Sequence, residues 1–369
     1  MKNSLLKTIY HYFIVKYHKI KSHRGGWMLA HIFWNEYKNR KTTISNLIRI
    51  HLKGWSYTDW STCGIKDANR KKYLSTRDYC SLHPLNGIYS GWIDDKLILK
   101  YIFHGTDAGV YMPEYYYQFT ESGEIIPLMD LKSSITTHTY NDVLDLIKSK
   151  RALALKPIKS SLGIGFYKVE YTDGFFFMNG EKMDKNTFIQ KIKSLKNYIA
   201  TEYLLPHAEF AKFSCSCVGS VRYILARNST NELINIYSAM RVGTKRSHYV
   251  DNYDAGGVLH IVNDGKYDYG NVYDFENNKN QTIQNHPDNG IRLKGEVPLW
   301  HDIVIASQKI AQAIPQLKYM GIDFCITNEN KVKVIEINSL PAFKFVQVDK
   351  SVYEKDLSGN FFRERMQLV

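Results

Sequence analysis

The chain has 369 residues, of which 44% are hydrophobic and only nine are proline. This composition excludes a disordered chain, and the length predicts a globular protein of two or three lobes with a sizeable core. A net charge of +13 indicates an anionic partner: a nucleotide, an acidic sugar, a nucleic acid or a lipid head group. The alternative is that the lysines only keep the surface soluble.

The first 82 residues are basic and aromatic, and we expect them to be largely helical. Their start, "MKNSLLKTIYHYFIVKYHKIKSHR", differs from a signal peptide because His11, Lys16 and His18 interrupt its apolar stretch and no small-residue cleavage site follows. A basic amphipathic helix is predicted, packed on its own domain or in peripheral contact with a membrane surface or an acidic polymer. In "KGWSYTDW" (53–60), Ser56 or Thr58 is expected to cap a helix.

The elements after residue 82 alternate between helix and strand. Helical patterns, turn residues and β-branched runs predict a helix, turn and strand over 85–119, a helix over 140–151, short strands with a Ser/Gly loop over 152–183 and a helix over 184–197 capped by Asp184. They further predict a strand over 198–210 that leads into a bend at Pro206, paired strands over 220–244, a long helix over 295–317 and a hairpin over 321–343. The fold class is therefore α+β, with a mostly antiparallel sheet in the second half.

The five cysteines, at 63, 80, 215, 217 and 325, contain no CxxC pair. This pattern fits a reducing cytoplasm, with Cys215 and Cys217 expected on one face of a strand. No run of 18 uncharged apolar residues occurs, so no membrane span is predicted.

The closing hairpin, "GIDFCITNENKVKVIEINSLPAF", places two carboxylates and an amide in strands that are otherwise mostly apolar. A four-residue loop at 328–331 would set Thr327 opposite Val332 and Asp323 opposite Glu336, with Asn338 on the same face. Facing carboxylates repel each other, and Mg²⁺ would remove that repulsion because it prefers oxygen ligands. The alternative is a solvated hairpin whose acids pair with nearby lysines.

The segment "KPIKSSLGIGF" (156–166) is a candidate phosphate-binding loop. Lys156 ends a strand, and the small residues after it let backbone N–H groups approach phosphate oxygens; these are Ser160, Ser161, Gly163 and Gly165. The segment matches neither the Walker nor the Rossmann pattern, and an ordinary turn is the alternative.

The segment "TEYLLPHAEF" (201–210) is a candidate nucleoside site. Glu202 and Glu209 lie on either side of a short apolar stretch. The strand edge at Tyr203, Leu204 and Leu205 could offer backbone donors and acceptors to an adenine, and Glu209 could accept hydrogen bonds from ribose hydroxyls. An ordinary surface loop is the alternative.

Arg222 and Arg241 lie in predicted strands, and a buried arginine requires an anionic partner. That partner is either a phosphate or carboxylate of a ligand or an acidic side chain in an internal salt bridge. The polar stretch 241–260 is long enough for a binding loop or lid. Its candidate substrate contacts are Lys245, Arg246, His248, Asn252, Gly256 and Gly257.

In this order, the features resemble the ATP-grasp superfamily from about residue 90 to 345. The motifs "DDK" around Lys96, "ALKP" with Lys156, "EYLLPHAEF" and the closing hairpin are similar to those of D-alanine–D-alanine ligases, including the spacings of 13 and 2 from Asp323 through Glu336 to Asn338. A closer resemblance, carried by "LPHAEFAKFS", "SVRYILAR", "YVDNYDAGGV" and "KGWSYTDW", is to the sugar-transfer-associated ATP-grasp family of polysaccharide gene clusters.

The resemblance implies two α+β subdomains that grip ATP: 91–200 with the glycine-rich loop and 201–350 with the metal site, between a helical region at 1–90 and a tail at 351–369. Mg²⁺ is expected at Asp323, Glu336 and Asn338, and ATP at Lys96, Lys156, the glycine loop and the Glu202–Glu209 segment. One position departs from the D-alanine ligases: Gly321 stands where they carry an arginine that steadies the acyl phosphate. Arg222 or Arg241 would have to supply that charge.

The implied activity is that of a cytoplasmic Mg·ATP-dependent carboxylate–amine ligase. The expected partners are an acidic sugar or polysaccharide precursor and an amine or amino acid; a nucleic acid is not expected. The alternatives are an ATP-grasp kinase that phosphorylates a hydroxyl, and a nucleotide-binding regulator without turnover.

Overall fold

The computed structural model describes residues 2–132, 138–160, 163–213, 217–341, 343–348, 351–354 and 356–367. Ser161 of the predicted phosphate loop and Cys215 lie outside these ranges. Cys217 precedes the nearest strand instead of lying in one.

The N-terminal region is helical, as predicted. Its helices are α1 (Lys2–His18), α2 (His23–Lys38), α3 (Ile44–Leu52), α4 (Tyr57–Thr62) and α5 (Thr76–Ser81). A hydroxyl side chain accepts a backbone N–H at the start of each of the last four, and Ser56, not Thr58, caps α4. Local capping chemistry therefore sets these helix starts.

A seven-stranded antiparallel sheet follows α6 (Ser90–Asp94) and α7 (Lys96–Phe103). Its strands are β1 (Tyr115–Phe119), β2 (Ile125–Pro127), β3 (Ala152–Pro157), β4 (Tyr167–Thr172), β5 (Phe175–Met178), β6 (Glu181–Met183) and β7 (Tyr198–Glu202), in the order β2-β1-β7-β3-β4-β5-β6. Helices α8 (Tyr140–Lys150) and α9 (Lys185–Lys193) pack apolar side chains against it. Asp184 caps α9, as predicted.

A second seven-stranded antiparallel sheet carries the closing hairpin. Its strands are β8 (Ser220–Arg227), β9 (Leu233–Val242), β10 (Val258–Ile261), β12 (Gly270–Asp274), β13 (Lys279–Ile283), β15 (Tyr319–Ile326) and β16 (Val332–Asn338), in the order β13-β12-β10-β9-β8-β15-β16. A separate pair joins β11 (Lys266–Tyr267) to β14 (Gly295–Glu296). Helices α10 (Ala208–Ala211), α11 (Trp300–Ala313) and α12 (Asp356–Gln367) complete the chain.

Apolar cores cover both faces of the second sheet. One contains side chains of α7 and α11, and the other contains side chains of α5 and α12. Every residue of β8 and β15 is buried as a result. Charged side chains on these strands therefore lie in a largely desolvated environment.

The register of the closing hairpin is partly as predicted. Asp323 pairs with Glu336, but Ile326 pairs with Val332, so the expected pairing of Thr327 with Val332 is wrong. Thr327 instead bridges Pro206. The connection is thus one residue longer than expected, and a bulge between Asp323 and Phe324 restores the predicted alignment of the carboxylates.

Two other predicted boundaries are wrong. The loop predicted at 241–260 is shorter, because β9 and β10 continue into it and pair Val242 with Val258. The helix predicted from 295 begins at Trp300, since 295–296 form β14. Within the part of the chain that the structure describes, no helix combines the length and apolar character needed to cross a membrane.

Candidate active site

A cavity of about 360 Å³ lies where the two large sheets approach each other. The first sheet contributes β3, the loop after it and the end of β7, and the second contributes the hairpin and the arginine strands. The predicted residues that line it are Lys96, Lys156, Ser160, Gly163, Glu202, Tyr203, Leu204, Arg222, Arg241, Asn252, Asp323, Glu336 and Asn338. Folding therefore brings most of the separated sequence motifs to one place.

Lys96 is held at the base of the cavity by the start of α7. Asp95 caps this helix by accepting the N–H groups of Leu97 and Ile98. The buried Lys96 side chain donates to the carbonyl of Ser160 at 2.8 Å, and its Nζ lies 3.7 Å from Glu336. The lysine thus connects the phosphate-loop candidate with the metal-site candidate.

Lys156 faces the same cavity from the end of β3. Burial and the neighbouring charge of Lys96 lower the pKa of its ammonium group to about 8. Among the described residues, no carboxylate lies within the 4.0 Å ion-pair distance of its Nζ. Lys156 is half-buried, and a cation that is partly removed from water without an ion-pair partner is a site that an anion would stabilise.

Asp323 forms the centre of a buried ion cluster. Arg222 donates from Nε and Nη2 to its two oxygens at 2.7 and 2.6 Å, and Arg241 Nη2 lies 3.0 Å from Oδ2. Burial would raise the pKa of this carboxyl, but the two guanidinium charges outweigh burial and hold it below its ordinary value. The internal salt bridge considered for both arginines is therefore present.

A hydroxyl and a further carboxylate hold Arg241 from its other side. The Ser220 side chain accepts from Arg241 Nε at 3.0 Å and donates to Asp251. Asp251 Oδ2 lies 3.6 Å from Arg241 Nε. Both arginines are thus fixed in direction while they line the cavity.

Gly321 faces Pro341, and a Cβ built on it would lie 2.6 Å from the proline Cβ. An arginine at this position would therefore collide with the chain after β16. Arg222, directly opposite Asp323 on the neighbouring strand, places a guanidinium near the carboxylates by another route.

Glu336 and Asn338 are the more available oxygen donors of the metal candidates. Glu336 is about 20% exposed and accepts from Asn338 Nδ2 at 2.8 Å. Their hard oxygen atoms fit Mg²⁺, whereas both oxygens of Asp323 already accept from arginine. Within the described ranges, no three His, Cys, Asp or Glu side chains cluster as a metal site, so Asn338 and ligand oxygens would have to complete the shell.

The candidate nucleoside-binding residues at and after the end of β7 do not all line the cavity. Glu202, Tyr203 and Leu204 line the cavity, but Glu209 does not. Glu209 lies in α10 and forms an ion pair with Lys212. A ribose contact from Glu209 would require its carboxylate to leave Lys212.

The glycine-rich loop adopts backbone conformations that favour glycine. Gly163 has φ 71° and Gly165 has φ 78°. A Cβ at Gly163 would lie 2.5 Å from Val250, so the loop packs against the segment after β9. Gly163 lines the cavity and Gly165 does not.

Most of the predicted substrate contacts lie outside the cavity lining. Lys245 and Arg246 are exposed, and Arg246 lies over the ring of Phe275 at 3.7 Å. His248, Gly256 and Gly257 also lie outside the lining. Of the predicted substrate contacts, only Asn252 lines the cavity. Nearby residues that the sequence argument missed do line it: Tyr249, Val250, Asp251 and Asp254. The segment "YVDNYD" contains all four, but only the positions of β9 and β10 show which side faces inward.

A model of the sugar-transfer-associated ATP-grasp family matches residues 86–358. Comparison with curated proteins finds no match. Similar solved structures include an L-amino acid ligase from Bacillus licheniformis (9% identity, TM-score 0.40, 75% of this chain and 48% of that chain) and N5-carboxyaminoimidazole synthetase from Staphylococcus aureus with ADP (13%, 0.39, 69% and 48%). The ATP-grasp ligase PsnB with minimal precursor, Mg and ADP is a third (11%, 0.40, 77% and 60%).

The chain spans less than two thirds of each of these structures, and the family assignment rests on the family model. ATP-grasp proteins are typically ATP-dependent, ADP-forming ligases that use Mg·ATP. Because the matched segment covers most of the chain and contains every cavity-lining residue, the chain belongs to the sugar-transfer-associated ATP-grasp family.

Proposed function

We propose that the chain is a Mg·ATP-dependent, ADP-forming carboxylate–amine ligase that joins an acidic sugar to an amine or amino acid. The sugar would be a uronic acid of a surface or capsular polysaccharide, or its nucleotide-sugar precursor. The observation that carries the proposal is Lys156, a half-buried cation without an ion-pair partner among the described residues, in the same cavity as Lys96 and two arginines.

The charges in the cavity suit a bound polyphosphate. Lys96 and Lys156 would contact the α- and β-phosphates, with the loop at 160–166 over them, because both ammonium groups face the cavity beside this loop. Phosphoryl transfer depends mainly on positioning and charge neutralisation. Glu336 and Asn338, with Asp323 behind them, would hold Mg²⁺, and this ion would supply positive charge to neutralise the phosphates.

Arg222 and Arg241 would orient the sugar carboxylate and stabilise the acyl phosphate made from it. The carboxylate attacks the γ-phosphate, ADP leaves, and the amine then displaces inorganic phosphate to form the amide. Asp323, Ser220 and Asp251 fix the guanidinium groups before any ligand arrives, so little reorganisation is needed during the reaction.

A reducing compartment fits the thiols. Among the described residues, the thiols of Cys80, Cys217 and Cys325 are free and buried, which supports a cytoplasmic location for the reaction. The acidic sugar is supported by the two arginines and by the family's association with sugar transfer, since the Lys245–His248 cluster lies outside the cavity lining.

Hydroxylamine trapping tests the proposal, because hydroxylamine converts an acyl phosphate to a stable hydroxamate. The purified chain should form hydroxamate only with ATP, Mg²⁺ and a uronic acid. With the correct amine in place of hydroxylamine, inorganic phosphate should appear in step with ADP.

Two other results would contradict the ligase proposal. Phosphate found on a sugar hydroxyl, without hydroxamate, would identify a kinase. ATP binding without ADP release under any combination of uronic acid and amine would indicate a nucleotide-binding regulator.

A further inference from the structure

The positive charge of the chain is concentrated in residues that do not line the cavity. Residues 1–58 contain eleven lysines and arginines and one acidic residue, Glu36, a net charge of +10 out of the total of +13. Glu36 is itself occupied, because it accepts from the backbone of Tyr57 and Thr58 and contacts His51. Residues 59–369 carry a net charge of only +3. The high net charge of the whole chain is therefore not evidence for an anionic substrate in the cavity.

Helix α1 has two different faces. His11, Ile14 and His18 are buried against the rest of the region, where Ile14 packs with Leu29 and Phe33 of α2. The spacing of three and four residues places these side chains on one side of the helix. The helix is therefore anchored to its own domain, as one of the two sequence-based alternatives predicted.

The opposite side of α1 exposes large apolar residues to solvent. Ile9, Tyr12, Phe13 and Tyr17, called here the N-terminal apolar face, are 57%, 70%, 56% and 46% exposed. Their positions i, i+3, i+4 and i+8 form one stripe. A contiguous exposed stripe of this kind marks an interaction surface.

Lysines lie within and beside the N-terminal apolar face. Lys16 is exposed between Phe13 and Tyr17, with its Nζ 6.0 Å from the centre of the Tyr12 ring, and Lys19 is exposed at the end of the helix. Helix α2 adds two exposed aromatic residues, Trp27 and Tyr37. Aromatic, aliphatic and basic side chains are thus exposed together on α1.

We propose that the N-terminal apolar face docks on an anionic lipid surface. Amphipathic helices that lie in a membrane interface bury aromatic and aliphatic side chains among the head groups, while lysine and arginine contact acidic lipids. A second copy of this chain would bring two strongly positive regions together. A soluble acidic polymer would match the charge but offers no apolar phase for the four exposed side chains.

Vesicle flotation with the full chain tests the proposal. The chain should float with vesicles of equal phosphatidylcholine and phosphatidylglycerol, and stay in solution with phosphatidylcholine alone or at high salt. The double variant Phe13→Ser/Tyr17→Ser should lower the partition coefficient at least about tenfold, because two apolar side chains are lost. Lys16→Glu should lower it roughly tenfold.

A matched control is available on β5 and β6. Phe175 is 43% exposed and Lys182 lies over its ring at 3.2 Å, so Phe175→Ser/Lys182→Glu removes the same chemistry elsewhere and should float like the unaltered chain. Circular dichroism and ATP binding should be unchanged in every variant. Equal binding to neutral vesicles, or wild-type flotation of Phe13→Ser/Tyr17→Ser, would overturn the proposal, as would binding to soluble acidic polysaccharide without flotation.

Discussion

The carboxylates of the closing hairpin differ in how much they are already engaged, and this difference can be tested residue by residue. Glu336 is the more available donor, so Glu336→Gln removes a charged ligand while keeping its shape. We expect ATP turnover to fall by about 100-fold with an unchanged melting temperature. Glu329→Gln, in the exposed hairpin loop, is the control; near-normal turnover of Glu336→Gln with Mg²⁺ would remove the metal assignment.

Asp323 should behave differently from Glu336. Asp323→Asn leaves two buried guanidinium groups without their shared counter-ion, and breaking a buried ion pair costs about 3–5 kcal/mol. Urea unfolding should show this loss without any ligand present. A loss below about 1 kcal/mol would mean that water or Asp251 compensates the arginines.

If Lys156 contacts the phosphates as proposed, nucleotide binding should depend on pH. Its free-state pKa is about 8, and bound phosphate would raise that pKa, so binding near pH 8 takes up a proton and weakens as pH rises. The dissociation constant for ATP should increase about tenfold from pH 7 to pH 9. Titration calorimetry in buffers of different ionisation enthalpy measures the proton uptake. Lys156→Arg should abolish the pH dependence of ATP binding. An equal pH dependence in that variant would contradict the assignment of Lys156 as the phosphate contact.

At the scale of elements, α2 lies unusually close to α5. A Cβ at Gly25 would lie 2.1 Å from the carbonyl oxygen of Cys80, whereas Gly91 in α6 has nothing within 4 Å. Gly25→Ala should therefore destabilise the chain by about 1–3 kcal/mol. Gly91→Ala should be neutral or slightly stabilising, because alanine favours helices; chemical denaturation of both variants gives the comparison, and equal stability would contradict the close contact.

Elements whose signals are local could be predicted from the sequence. Helix caps at Ser56 and Asp184, and the pairing of β8 with β9, follow from short-range patterns. The hairpin register was right at Asp323 only because a bulge compensates an extra loop residue. The connection also contains the bridge between Thr327 and Pro206, a contact between segments far apart in the chain, which local patterns do not encode.

The candidate site shows the same limit. The lysines, arginines and carboxylates have residue types and order that indicate anion and metal binding, and most of them meet in one cavity. The substrate loop was less predictable because its inward side depends on how β9 and β10 extend into it. Consequently Asp251, which contacts Ser220 and Arg241, was missed although the sequence places it between two suspected residues.

For the whole molecule, buried histidines make stability depend on acid. Burial lowers the pKa of His18 to about 4 and those of His83 and His260 to about 3. The unfolded chain therefore binds more protons than the folded chain below about pH 6.5, and stability falls as pH drops toward 4. The slope is at most about 1.4 kcal/mol per pH unit for each histidine.

Urea unfolding between pH 7.5 and pH 4.5 should show this loss of stability. The loss due to the histidines occurs at higher pH than any loss due to Asp323. Because the pKa of Asp323 is lowered in the folded chain, its contribution to stability is lost only when the pH falls below the ordinary carboxyl range. His260→Gln should flatten the dependence on pH, and a flat profile in the unaltered chain would contradict the buried neutral histidines.

The strongly basic N-terminal region, next to a remainder of the chain that carries a net charge of only about +3, also gives the molecule an electric dipole. Near a negatively charged surface, a dipole experiences a torque as well as an attraction, so the chain would turn with its N-terminal helices forward before it makes contact. This orientation acts within about one Debye length, roughly 8 Å at physiological ionic strength. Ionic strength would therefore change the rate of productive encounters more than it changes the chemistry in the cavity.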